Sequence, residues 1–281
     1  MAGGVKMNIK AAIFDVDGTL FSHSMKKFPE STKEALRLLR KKGIQIFLST
    51  GRSYIEAGKL PWEDIVFDGY VTLNGQVCTD ENGKILFGNP IVGADKEYLL
   101  SVFCNHEKPL LLVESDRLYI TFINDVVERA QKMVSIPNPE IGEPTGADIY
   151  QFIAYFTRAE EEEFMKRIPN CKATRWYEAG VDIIPKDSGK IVGIQKMLEI
   201  YGLSREEIIA FGDGDNDAEM LEFAGIGVAM GNAPEALKQV ADHICGHVSK
   251  GYSPPIFSNS ANWSVHVPKL AQMEIIRCAF L

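Results

Sequence analysis

The chain has 281 residues, 46% of them hydrophobic and 24% charged, enough for a large core or two compact domains. A formal net charge of −8 argues against nucleic acid or an anionic membrane surface as the main partner. No stretch reaches the roughly 18 apolar residues that span a bilayer, MAGGVKMNIK lacks the apolar core of a signal peptide, and five scattered cysteines without a CxxC pair suit a reducing compartment and offer no zinc site, so the cytoplasm is the expected location.

The first predicted strand is the apolar run Ala11, Ala12, Ile13, Phe14, which feeds directly into DVDGTL at residues 15–20. Asp15 and Asp17 share a side only while the chain stays extended, whereas Gly18 and Thr19 indicate a turn that gathers side chains and backbone around one point. Two close carboxylates call for a hard cation or a shared proton, although Asp-Gly is also common turn punctuation. Ser31 and Glu34 then fit a capping box, Ala35, Leu36, Leu38 and Leu39 supply a helical apolar stripe, and Gly43 ends it. The run 44–48 predicts a second strand that closes in Ser49, Thr50, Gly51 and Arg52, a hydroxyl, a flexible turn and a guanidinium fit to hold an anion. Arg52 can equally support the Thr50 turn.

Residues 80–184 carry no comparable motif and alternate helices with strands, expected at 94–106, 110–114, 117–122, 124–134, 149–155, 158–167, 171–176 and 181–184, in the order αββαβαββ. Linkers near Asn82 and Pro185 are the expected hinges. Glu160 to Glu163 predict a solvated helix face, and Trp176, Tyr177 and Glu178 either face a substrate or pack within their own domain. His23 and His106 lack partners at ligand spacing and read as surface or packing residues.

After this insert, Ser188, Gly189 and Lys190 precede a helical pattern with Ile191, Ile194, Met197, Leu198 and Tyr201 on one face. A lysine in the first turn opposes the helix dipole and makes sense where an anion binds, the alternative being an ordinary solvated lysine. Ile208, Ile209, Ala210 and Phe211 form a third strand, followed at once by GDGDNDAEML, residues 212–221. A last unit runs through Ile226 to Met230, then Gly231, Asn232 and a helix starting near Pro234. Three strands thus end in polar chemistry, and in open parallel α/β sheets ligands sit beyond the strands' carboxyl ends, so these distant clusters should converge.

DVDGTL, STGR, the lysine of Ser188-Gly189-Lys190 and GDGDNDAEML, in this order and at these spacings, resemble the four motifs of the haloacid dehalogenase-like hydrolases, most closely the Cof-like phosphatases with a class II B cap, from about residue 9 to residue 252. The resemblance implies an α/β fold, a Rossmann-like doubly wound parallel-sheet core at 1–79 and 185–281 with an inserted α+β cap at 80–184 that closes over the site and selects the substrate. It further implies that Asp15 is the nucleophile and Asp17 the general acid and base. Mg2+ is then held by Asp15, Asp213 and the backbone carbonyl of Asp17, while Thr50, Lys190 and Asn216 bind phosphate. Gly51, Arg52 and Asp217 support them, Asp217 by orienting Lys190 or a metal-bound water. The implied activity is hydrolysis of a small phosphorylated metabolite, such as a sugar phosphate, a nucleotide or pyridoxal phosphate, through an aspartyl phosphate. A sugar phosphomutase would instead return the phosphoryl group to its substrate. A phosphate-sensing receiver domain would need neither the second acid motif near Asp213 nor so large an insert. Residues 253–281 depart from the group's usual ending: Pro254, Pro255 and a Ser/Asn cluster read as irregular, and 268–280 as a short amphipathic helix. Substrate identity and oligomeric state are not written in the chain.

Overall fold

A computed structural model describes residues 8–22, 24–115, 117–133, 137–175 and 178–249. His23, Trp176, Tyr177 and the segment 253–281, all singled out above, lie outside the described residues. In chain order the elements are β1 (Ala11–Phe14), α1 (Glu30–Lys41), β2 (Gln45–Ser49), α2 (Tyr54–Gly58), β3 (Gly69–Thr72), β4 (Val77–Asp80), β5 (Ile85–Gly88), α3 (Gly93–Cys104), β6 (Leu110–Glu114), β7 (Leu118–Ile120), α4 (Asp125–Met133), β8 (Ile149–Tyr155), α5 (Arg158–Met165), β9 (Cys171–Arg175), β10 (Gly180–Pro185), α6 (Lys190–Tyr201), β11 (Ile208–Gly212), α7 (Ala218–Phe223), β12 (Ile226–Ala229), α8 (Glu235–Val240) and β13 (His243–Ile244). These form two compact units. One takes the chain up to Gly51, Gly58–Leu86 and the chain from Gly189 onward, and the other takes Arg52–Ala57 and Phe87–Ser188.

The first unit is built on an eight-stranded sheet in the order β13-β12-β11-β1-β2-β3-β4-β5. From β13 to β3 every neighbouring pair is parallel, and β4 turns back antiparallel on β3. Apolar runs without alternation suit such strands because helices cover both faces. One face packs Phe14, Leu48, Phe211 and Val228 with Leu36 and Leu39 of α1. On the other, Tyr201 of α6 meets Phe47 edge-on at 4.9 Å, and the Cys78 thiol donates to the Gly193 carbonyl of α6 at 3.3 Å. Phe14 and Phe211 are fully buried and stacked at 4.8 Å between centroids. Phe211→Ala is therefore expected to cost about 3–5 kcal/mol through lost burial and a residual cavity, read as a lower urea midpoint with an unchanged slope.

The helix, expected to be capped by Ser31 and so to begin one residue after it, starts two residues earlier, at Glu30. Pro29 (φ −59) stands at the N-cap of α1, with no side-chain cap bond, so the expected Ser31–Glu34 capping box does not form and Ser31 lies inside the first turn. Proline's fixed φ sets the helix entry in place of a hydroxyl cap. Gly43, at φ +78, follows the helix end as expected, its N–H bonded to the Arg40 carbonyl. Residues 80–86, expected in the insert, instead lie in the first unit: Asp80 accepts the N–H groups of Asn82 and Lys84, both at 2.9 Å, and this turn sends β5 alongside β4.

The second unit carries a five-stranded sheet, β7-β6-β8-β10-β9, antiparallel throughout. Leu110, Leu112, Phe152, Ala154, Val181 and Ile183 pack with Leu99, Phe103 and Phe164 from α3 and α5 in its core. The αββαβαββ order read from the sequence corresponds to α3 through β10. His106 is exposed just past α3, at φ +56. The acidic run of α5 is more than a solvated face. Thr157 and Glu160 form a reciprocal capping box, Lys108 bonds Glu160 at 2.9 Å, and Arg175 clamps Glu161 through Nε at 3.0 Å and Nη2 at 2.5 Å.

Candidate active site

The sheet order places β11 and β2 on either side of β1, so the chain leaves β1 for one flank and later returns on the other. Such a switch point opens a crevice at the carboxyl ends of the strands. The registers Phe14↔Phe211 and Phe14↔Leu48 bring all three ends level. Asp15 follows β1 directly, its N–H bonded to the Phe211 carbonyl at 2.9 Å. Asp213 follows β11, and Thr50 follows β2 with its own N–H on the Val71 carbonyl at 2.9 Å.

Lys190 is the first residue of α6 and is 3% exposed. Its Nζ donates to Asp15 Oδ1 and to Asp217 Oδ1, both at 2.6 Å. The reading of Lys190 as a solvated lysine is thereby excluded. Gly75 helps to set this position: at φ +95 it lies so close to the Gly189 carbonyl that a Cβ there would overlap it, and the turn Leu73–Gly75 abuts the start of α6. Asp217 spends its second oxygen on the N–H groups of Asp213 and Gly214, at 3.0 and 2.9 Å, which ties the acid loop around the same point.

Asp15, Asp213 and Asp217 present carboxylate oxygens within 4.8 Å of one another. Asp217, expected to support the cluster by orienting Lys190 or a metal-bound water, does bond Lys190 and also presents one of the three carboxylates, whereas Asp17 sits half-buried in the adjoining turn and its carboxylate is not one of the three. Burial, with repulsion from Asp217 and Asp213, outweighs the Lys190 ammonium and pushes Asp15 up to about 8. Burial and the Asp217 charge push Asp213 up to about 6, against the hydrogen bonds from Thr19 and Asn232. Burial opposes the Lys190 charge, but Asp15 and Asp217 overcome it and hold the ammonium above its ordinary range. Three carboxylates around one ammonium leave two negative charges when all are ionised. Oxygen donors carrying that imbalance fit a hard divalent cation. Gly18, at φ +90, makes room for the Asp213 carboxylate, which a Cβ there would overlap.

Thr50 and Asn216 join through Asn74, a residue the sequence reading did not single out. The Asn74 N–H donates to the Thr50 carbonyl at 3.1 Å, and its Oδ1 accepts from Asn216 Nδ2 at 3.3 Å. Gly51 lies against the same side chain, with Asn74 Oδ1 at 3.2 Å from the position of a Cβ. Arg52 is half-buried and falls in the second compact unit. Thr19 and Asn232, read in the sequence only as turn and loop residues, both bond Asp213: the Thr19 hydroxyl donates to Oδ1 at 3.1 Å and Asn232 Nδ2 to Oδ2 at 2.9 Å. Asn74 and Asn232 follow β3 and β12, so the strand-end rule applied to every strand would have found them.

A family model for haloacid dehalogenase-like hydrolases matches residues 12–251. The chain belongs to this family. Among curated relatives, the hydrolase is 30% identical to YitU of Bacillus subtilis, a 5-amino-6-(5-phospho-D-ribitylamino)uracil phosphatase, over 81% of this chain and 88% of that one. It is 26% identical to the pyridoxal phosphate phosphatase YbhA of Escherichia coli, over 85% of this chain and 94% of that one. Among solved structures, the subclass IIB sugar phosphatase BT4131 superposes with a TM-score of 0.72 at 31% identity, covering 85% of this chain and 94% of the other. The hydrolase is accordingly an α/β phosphatase of this superfamily. Among its described residues no helix is long and apolar enough to cross a membrane.

Proposed function

We propose that the chain is a magnesium-dependent phosphomonoesterase acting on a small phosphorylated metabolite in the cytoplasm, with Asp15 as nucleophile. The observation that carries this reading is the buried Lys190 ammonium held 2.6 Å from both Asp15 and Asp217, beside Asp213. A phosphomonoester dianion repels a carboxylate nucleophile, and a lysine fixed against that carboxylate lowers the repulsion on approach. Asp15 attacks phosphorus in line with the departing alkoxide, forming an aspartyl phosphate as the ester P–O bond breaks. Asp17 donates the proton the alkoxide needs, then takes one from the water that attacks the aspartyl phosphate, releasing phosphate and restoring Asp15. Such general acid-base assistance is worth roughly 100 to 10,000-fold. Thr50 and Asn216, linked through Asn74, orient the phosphoryl oxygens. Asp15, Asp213 and the Asp17 carbonyl would hold magnesium, which would supply Lewis-acid charge neutralisation at the phosphoryl oxygens.

Selection of the leaving group is assigned to the second unit, which has no acid motif of its own. The named activities of YitU, YbhA and BT4131 all concern small phosphorylated compounds and support the substrate classes of sugar phosphate, nucleotide-like heterocycle and pyridoxal phosphate. The test is phosphate release over a panel of these compounds. Steady multiple-turnover release is expected with magnesium, falling to background in excess EDTA and returning when magnesium is restored. Release that is indifferent to EDTA removes the metal from the reading, and no release from any member removes the substrate class.

A further inference from the structure

Asn232 is half-buried just past β12, and every hydrogen-bonding group of its amide is committed. Nδ2 donates one hydrogen to the Gly18 carbonyl and the other to Asp213 Oδ2, both at 2.9 Å, while Oδ1 accepts the Val248 N–H at 3.0 Å. A side-chain amide has two donor hydrogens and one acceptor oxygen, so the Val248 contact fixes which end faces the acids. Turning the amide over would set its oxygen against two other oxygens.

We infer that Asn232 is a positioning residue that locks the Asp213 carboxylate and the Asp17–Gly18 turn into one rigid cation cradle. This rests on the proposed role of Asp213 in holding magnesium. On the carboxylate side, Thr19 holds Oδ1 at 3.1 Å and Asn232 holds Oδ2, so neither oxygen swings freely. On the turn side, the Gly18 N–H donates to the Phe21 carbonyl at 2.9 Å and the Gly18 carbonyl accepts from Asn232. The peptides on both flanks of Gly18 are therefore fixed, including the one that carries the Asp17 carbonyl. Magnesium demands near-ideal octahedral geometry, whereas calcium tolerates loose and variable oxygen shells. A cradle held this way favours the smaller ion, and loosening it should cost magnesium far more than calcium.

The experiment is calorimetric titration of the full chain with magnesium alone and with calcium alone, for wild type, Asn232→Ala and Asn232→Ser. The serine hydroxyl has one hydrogen and cannot serve both acceptors, so it supplies a second variant if the alanine chain does not fold. Partners of metal ligands are typically worth about 10–100-fold in affinity. Magnesium binding is expected to weaken by about that factor, with calcium binding changed by less than about threefold. A folded variant whose magnesium affinity stays within about twofold of wild type overturns the proposal, as does equal loss of both ions, which marks general loosening. A wild type that binds neither ion overturns this inference and the magnesium reading together; a wild type that binds magnesium beside an unchanged variant overturns this inference alone.

Discussion

Asp15→Asn is expected to lower the turnover of phosphate release by at least about 10,000-fold, because the substitution keeps the side chain's shape and removes the carboxylate proposed as the nucleophile. Shape matters here, since Asp15 is buried and bonded to Lys190, and a smaller residue would confound lost chemistry with a collapsed cluster. The amide still offers Oδ1 to the Lys190 ammonium. It also relieves repulsion toward Asp213 and Asp217, two of the charges that push Asp15 up to about 8. The variant should thus fold at least as well as wild type while releasing phosphate at background. Rapid-quench trapping of phosphoprotein would separate the causes: wild type should accumulate an acid-stable, hydroxylamine-labile acyl phosphate, and Asp15→Asn should not. Turnover near the wild-type rate in the variant would end the covalent mechanism.

The strand ends were legible because hydrophobic periodicity stops abruptly where chemistry begins. The apolar runs ending at Phe14, Leu48 and Phe211 became β1, β2 and β11, neighbours in one parallel sheet, the acids behind β1 and β11 converge as a switch point requires, and Thr50 behind β2 is linked through Asn74 to Asn216. Lys190 could be placed at a helix start from its neighbours, yet its contacts could not be read. Nothing local distinguishes a lysine at the surface from one 3% exposed between two carboxylates that arrive from 175 and 27 residues away. Asp217 was read as orienting Lys190 or a metal-bound water, and it bonds Lys190; its motif position says nothing of the second oxygen, which accepts the Asp213 and Gly214 N–H groups. The Ser31 capping box failed for a local reason, since Pro29 fixes the chain direction ahead of it and starts the helix at Glu30. Asn74 went unnamed and Asn232 was read only as a loop residue because an asparagine after a strand has the same local signature as a turn residue, and long-range hydrogen bonds alone give it another role.

Lys190→Ala should impair binding and rate together and also destabilise the fold, and its double effect separates it from every other substitution considered above. The ammonium touches Asp15 and Asp217 in the free protein, so removing it leaves two buried carboxylates facing each other with Asp213 beside them. Breaking a buried ion pair from one side typically costs about 3–5 kcal/mol. The cost should appear as a lower urea midpoint, partly recovered by magnesium if the proposed ion binds the folded form and adds back positive charge. In kinetics, the lost cation should weaken ground-state attraction for the phosphate dianion, raising KM, and withdraw transition-state stabilisation, lowering kcat. By comparison with the loss of one preorganised donor, worth about 100 to 1,000-fold, the combined fall in kcat/KM should reach about 1,000-fold or more. Lys190→Arg is not expected to rescue it, because a planar guanidinium fork cannot take the place of a compact ammonium held at 2.6 Å by two carboxylates at once. A loss of stability with unchanged kcat and KM would make Lys190 a structural ion and remove it from the reaction, while unchanged stability with impaired kinetics would mean that Asp15 and Asp217 are already neutralised by other means.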